Sequence, residues 1–167
     1  MSVNFQEKSC QILVKDRKFG IYDAEDKTPA KIIDYNSDLC NAIVTNERKV
    51  EILFTAIDNC IIINRSNGKM DNRCDAMLCY ESNLFFIELK NKRDKWQAEG
   101  LSQIESTIKR MIDENPEYYF GFKKRKAIVA NRKNKFPSFH ESNLEQREYF
   151  SSKYKMRIQF EAEINIE

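Results

Sequence analysis

Glycine and proline are scarce, with four and three residues in a chain of 167, against a combined usage of roughly 12% in an average protein. That scarcity excludes collagen-like structure and long flexible linkers and predicts a chain made mostly of regular elements. Long apolar runs are also missing. The longest clean one is Leu84-Phe85-Phe86-Ile87, far short of the roughly 20 residues that span a bilayer, so no membrane segment is expected. The first residues carry no basic stretch followed by an apolar core, so no secretory signal is read, and the cytoplasm is the expected compartment. There is one histidine, His140, which excludes two-histidine nuclease chemistry and multi-histidine zinc or iron sites. The five cysteines (Cys10, Cys40, Cys60, Cys74, Cys79) are scattered and form no Cys-x-x-Cys pair. Reduced thiols are expected rather than a disulfide framework or a zinc ribbon. Any chemistry must then run on carboxylates, lysines and a metal.

What is present is charge. Lys and Arg number 28 and Asp and Glu 26, with 41% hydrophobic residues, the composition of one soluble globular domain over residues 1–167. The near balance hides an uneven distribution: residues 89–135 hold 13 basic residues and 6 acidic ones. Such a segment suits contact with a polyanion, and equally a solvated lysine-rich face.

The pattern of apolar residues predicts a mixed α/β domain. Residues 17–22 and 30–34 read as a hairpin around the polar turn 23–29. Over 46–64, Val50, Leu53, Phe54, Ile57, Cys60 and Ile61 fit a helical stripe, which we prefer, although Val50, Ile52, Phe54 and Ala56 also alternate as a strand would. Residues 74–80 and 84–90 read as two strands of a hairpin. Leu101, Ile104, Ile108, Met111 and Ile112 recur at helical spacing over 96–115, closed by Pro116. Residues 126–130 form a short apolar strand suited to a central position, 141–153 look helical, and every even position from Met156 to Ile166 is apolar, as in a one-sided strand.

The sharpest constellation is Asp75 followed by Glu88-Leu89-Lys90. Two residues apart on a strand, Glu88 and Lys90 project from one face while Phe85, Ile87 and Leu89 occupy the other. A three-residue loop over 81–83 would pair Asp75 with Leu89 and send it to the opposite face. A two-residue loop, Ser82-Asn83, would pair it with Lys90 and bring the three groups together, as a four-residue loop or a bulge also would. Convergent, Asp75 and Glu88 offer the hard oxygen ligands that magnesium prefers, and Lys90 stands where it can orient a water or stabilise charge on a phosphorane. The alternative is a surface ion pair worth about 0–1 kcal/mol.

Cys74-Asp75, a strand and turn, Glu88-Leu89-Lys90 after an apolar run, and a helix carrying Gln103 together resemble the core of the PD-(D/E)XK nuclease superfamily, in particular small bacterial members of it. The resemblance spans about residues 46–130. It implies a restriction-endonuclease-like α-β-β-β-α-β core, here with an N-terminal hairpin and a C-terminal helix–strand extension, and Mg2+-dependent (or Mn2+-dependent) cleavage of DNA or RNA. On that resemblance Asp75, Glu88 and Lys90 are the motif residues, with Asp75 and Glu88 holding the metal. Glu51, or Glu47 one turn earlier, is the helix-borne acid, and Gln103 is the glutamine that some members carry. Cys74 replaces the proline before the aspartate, and Thr107 stands where one branch has tyrosine. Lys92, Arg93, Lys95, Lys123, Lys124 and Arg125 would hold nucleic acid, with specificity supplied by loops, a homodimer or a partner protein. The rival is a non-catalytic interaction module on the same fold. Among lesser candidates, Asp58 reads as a solvated acid, Trp96 as a core cap, His140 as a surface residue, and Tyr118 to Phe120 and Phe136 with Phe139 as packing residues.

Overall fold

The computed structural model describes residues 3–64, 72–138 and 143–167. His140 and Phe139 lie outside them. A short 3-10 turn (Lys8–Cys10) leads into β1 (Gln11–Val14), followed by β2 (Lys18–Tyr22), β3 (Lys31–Ile33), β4 (Ala42–Thr45) and β5 (Ile52–Ala56). The middle of the chain supplies β6 (Ala76–Tyr80), β7 (Asn83–Lys90), α1 (Trp96–Glu114), α2 (Pro116–Phe120) and β8 (Lys124–Asn131). It ends in α3 (Asn143–Tyr154), β9 (Arg157–Gln159) and β10 (Glu163–Asn165).

The strands form two mixed sheets, one of six strands in the order β1-β5-β6-β7-β8-β9 and one of four in the order β10-β4-β2-β3. In the larger sheet β1, β5, β6 and β7 are antiparallel neighbours, while β8 runs parallel to β7 and β9 parallel to β8. Helix α1 is the crossover that a parallel β7–β8 pair requires. Alternation along the strands gives each face of this sheet its own apolar layer. Leu84, Phe86, Ala127 and Val129 pack with Ile104, Ile108 and Met111 of α1 and with Phe150 and Tyr154 of α3. Phe85, Ile87, Leu89, Ile128 and Ala130 pack with Phe19, Ile21 and Val44 of the smaller sheet. The order is therefore helices, six-stranded sheet, four-stranded sheet.

The N-terminal hairpin is present as β2 and β3, paired through Ile21↔Ile32. The expected helix over 46–64 is not. Residues 52–56 are a strand whose two edges pair with β1 (Phe54↔Ile12) and β6 (Phe54↔Leu78). The alternation of Ile52, Phe54 and Ala56, all buried, outweighs the helical stripe because both sheet partners come from distant parts of the chain. The run 156–166 also departs from expectation. Its even residues are all buried, but the chain leaves the larger sheet after β9 and joins the smaller one as β10. Met156, Ile158 and Phe160 fill one apolar layer, and Ala162, Ile164 and Ile166 the other. The expectation of five reduced cysteines is corrected as well: Cys10 and Cys60 form a disulfide, leaving Cys40, Cys74 and Cys79 free. No described helix is long and apolar enough to cross a membrane.

Candidate active site

The turn between β6 and β7 is neither of the two loops weighed from the sequence. Tyr80 pairs with Asn83, so the loop is Glu81-Ser82, with Glu81 in the left-handed region (φ 50°). Asn83 belongs to the strand, and its amide donates back to the Tyr80 carbonyl at 3.2 Å. The pairing Ala76↔Ile87 carried one step further sets Asp75 directly opposite Glu88. Opposed residues of an antiparallel pair share a face, so Asp75, Glu88 and Lys90 all lie on the face that α1 covers.

Asp75 is fixed from four sides. Its amide donates to Glu88 Oε1 at 3.1 Å, and its Oδ2 accepts from the Leu89 amide at 2.7 Å. Its carbonyl accepts from the Ile57 amide at 2.8 Å, at the end of β5. The preceding amide, of Cys74, donates to Thr107 Oγ1 at 2.8 Å, and that hydroxyl donates to the Gln103 carbonyl at 3.1 Å. Thr107 thus ties the approach to Asp75 onto α1. One turn earlier on that helix, Gln103 Oε1 accepts from Lys90 Nζ at 2.5 Å, and Lys90 Nζ stands 3.4 Å from Glu88 Oε2.

Asp75 is 5% exposed and Glu88 1%, and burial sets their protonation. Desolvation pushes the Asp75 carboxyl up to about 6. Desolvation, with the Asp75 charge next to it, pushes Glu88 well above the usual carboxylate range, only partly offset by Lys90. Two buried carboxyl groups in contact favour sharing a proton over carrying two charges. A divalent cation relieves the same repulsion, and magnesium is bound through one or two carboxylates completed by water. The donor chemistry of Asp75 and Glu88 fits that requirement, although among the described residues no group of three or more His, Cys, Asp or Glu side chains is arranged to hold a metal ion.

Three surrounding residues were not singled out from the sequence. Asp23, just past β2, contacts Asp75 through its half-buried carboxyl, which desolvation raises above its ordinary range. Its amide donates to Asn41 Oδ1 at 2.9 Å, and Asn41 Nδ2 donates to the Lys90 carbonyl at 3.1 Å. On the other side Asn131, register partner of Lys90, donates to the Lys92 carbonyl at 2.7 Å and accepts from the Lys92 amide at 3.2 Å. Both asparagines are buried, and together they clamp the backbone that carries Lys90. Apart from their polarity nothing in the sequence marks them, since the carbonyls to which they donate lie 39 and 49 residues away. Asp58 is not simply a solvated acid: it pairs with the buried Arg73 at 2.8 Å, and its charge reaches Asp75.

The remaining expected site residues lie elsewhere. Glu51 precedes β5 and pairs with Lys15 at 2.9 Å, both side chains about three-fifths exposed. The pairing Ala56↔Ala76 sets Ile57 at the Asp75 level, six residues on from Glu51, so about 20 Å of strand separates the two. Glu47 pairs with Arg17 at 2.7 Å in solvent. Lys92 pairs with Glu99 at 2.7 Å, and Arg93 and Lys95 are exposed at the start of α1. Lys123 and Lys124 are exposed at the far end of β7–β8. Arg125 is buried, donating from Nη1 to the Tyr119 and Phe122 carbonyls at 3.2 and 2.6 Å and lying over the Tyr119 ring. Trp96 caps the helix-side layer, edge-on to Phe160. Compared with protein-family models, with curated proteins and with solved structures, the chain matches none.

Proposed function

We propose that this protein is a metal-dependent nuclease hydrolysing phosphodiester bonds in DNA or RNA. The observation that carries the reading is Asp75 opposite Glu88, both buried, with Lys90 on the same face held between Glu88 and Gln103. The antiparallel β5-β6-β7 series, the α1 crossover and the parallel β8 support a PD-(D/E)XK-like core, lacking its leading helix. Asp75 and Glu88 would hold Mg2+ or Mn2+, which supplies an acidified water and charge stabilisation at the scissile phosphate. The Lys90 ammonium, aimed by Gln103, places positive charge where the attacked phosphate gains negative charge. Asn41 and Asn131 hold the Lys90 strand in register. Asp23, just past β2, brings a third carboxyl against Asp75.

The test is cleavage of labelled single- and double-stranded DNA and RNA with Mg2+ or Mn2+, alongside calorimetric Mn2+ titration. Lys90→Ala is expected to lose activity by about 100-fold or more while still binding Mn2+, and Asp75→Asn to lose both. The near-complete burial of both carboxyl groups favours a second reading, a non-catalytic interaction module. A folded protein that cleaves no substrate and takes up no Mn2+ would establish that reading instead.

A further inference from the structure

The basic run Lys123 to Lys126, part of which is expected to hold nucleic acid, lies away from the carboxylates. Along β8, Lys124 and Lys126 precede Asn131, the partner of Lys90, by seven and five residues, about 23 and 17 Å of strand. Lys126 pairs with Phe85, which packs toward the smaller sheet, so it lies on the face away from Glu88. Here a cavity of about 710 Å³ opens between the β6–β7 turn, the start of β8, the end of α3 and β9. Six of its lining residues are cations: Arg125 is buried over the Tyr119 ring, and the other five, Lys123, Lys124, Lys126, Lys155 and Arg157, are not buried. None forms an ion pair among the described residues; Lys126 lies over the Phe85 ring, 5.2 Å from its centroid. Two acids also line the cavity, Glu81 and Glu167. Arg48 engages both residues, at 2.7 Å to the Glu81 carboxylate and 2.5 Å to the Glu167 carbonyl. The basic walls are built rather than trailing, because the Lys123 and Lys124 amides both donate to the Ser82 carbonyl, at 2.8 and 3.2 Å.

We propose that this cavity is a second binding site, separate from the carboxylate pair, for the phosphate groups of a nucleic-acid backbone or of a free polyphosphate. Five like charges around one concavity repel one another until an anion of comparable charge enters. Ser151 and Asn83 add the neutral donors that commonly accompany Lys and Arg on phosphate oxygens. The site does not require the carboxylate pair to be catalytic.

The experiment is fluorescence anisotropy of labelled single-stranded and duplex oligonucleotides in EDTA, repeated over a range of salt, with the intact protein and Lys124→Glu/Arg157→Glu. Both charge reversals are at exposed positions, and circular dichroism checks that the fold survives. Affinity is expected to fall at least tenfold in the double variant, with a shallower salt dependence by about 1–2 in log–log slope. Displacement by tripolyphosphate supports the phosphate assignment. Tripolyphosphate binding without oligonucleotide binding, lost in the double variant, identifies a free polyphosphate as the ligand. Equal binding by the intact protein and the double variant, binding of neither ligand, or equal competition by polyglutamate would overturn the proposal.

Discussion

Burying two carboxyl groups against each other costs free energy that is recovered by protonation or by a cation. Asp75 shows the sign of the effect in metal-free protein. Its carboxyl is raised from 3.8 to about 6, so between those values the folded state holds the proton that the unfolded chain releases. Stability therefore falls as pH rises through that window and is fullest below it. Asp75→Asn keeps an oxygen for the Leu89 amide and removes the charge. In EDTA at pH 8 it should be more stable than the parent by about 1–3 kcal/mol, with the advantage gone at pH 3.8 and below. Urea denaturation across pH measures this, and a pH-independent difference would remove the buried-charge explanation. Residue identity alone also misleads in Lys123-Lys124-Arg125-Lys126. All four touch the cavity, yet within the strand Arg125 is buried over Tyr119 while Lys124 and Lys126 on either side of it are not, because alternate residues of a strand face opposite ways.

At the scale of elements, α1 connects the apolar layer to the site, and its docking depends on close approach at Gly100. A Cβ there would meet both Val129 methyl groups, the nearer inside any real contact distance. Gly100→Ala gains about 1 kcal/mol of helix propensity but must push the helix off β8, and overpacking of this kind costs roughly 1–3 kcal/mol. We expect net destabilisation, relieved when Val129→Ala is added. Denaturation of the two single variants and the double one provides the cycle, and additive effects would place the strain elsewhere. Elements with strong local signals, such as α1, the β2–β3 hairpin and β8, were legible from the chain. Strand β5 was not. Its residues fit both periodicities, and the choice was made by β1 and β6, whose free edges satisfy its backbone hydrogen bonds.

For the whole molecule, the Cys10–Cys60 disulfide joins the entry to β1 with the turn after β5, across 50 residues of sequence. In the chain-entropy account a loop of that length is worth about 4 kcal/mol. Reductant should therefore lower the melting temperature of the parent and leave Cys10→Ser/Cys60→Ser unchanged. Thiol titration of the unfolded, unreduced protein should find the three remaining cysteines. Five titratable thiols and a melting temperature indifferent to reductant would show that the bond does not form.

Local patterns suffice for the class of the fold, the helix that follows the Glu-x-Lys strand, and the face on which Glu88 and Lys90 lie, since these follow from periodicities of 3.6 and 2 within one segment. By offering a single histidine the sequence also excluded sites that need two or more imidazoles from one chain. Tertiary structure decided the register that sets Asp75 opposite Glu88, the smaller sheet that brings in Asp23 and Asn41, and the distance between the carboxylates and the lysine-rich cavity. Each of these depends on pairing between residues far apart in the chain, where hydrogen-bonding edges and buried area select among arrangements that local patterns leave equal.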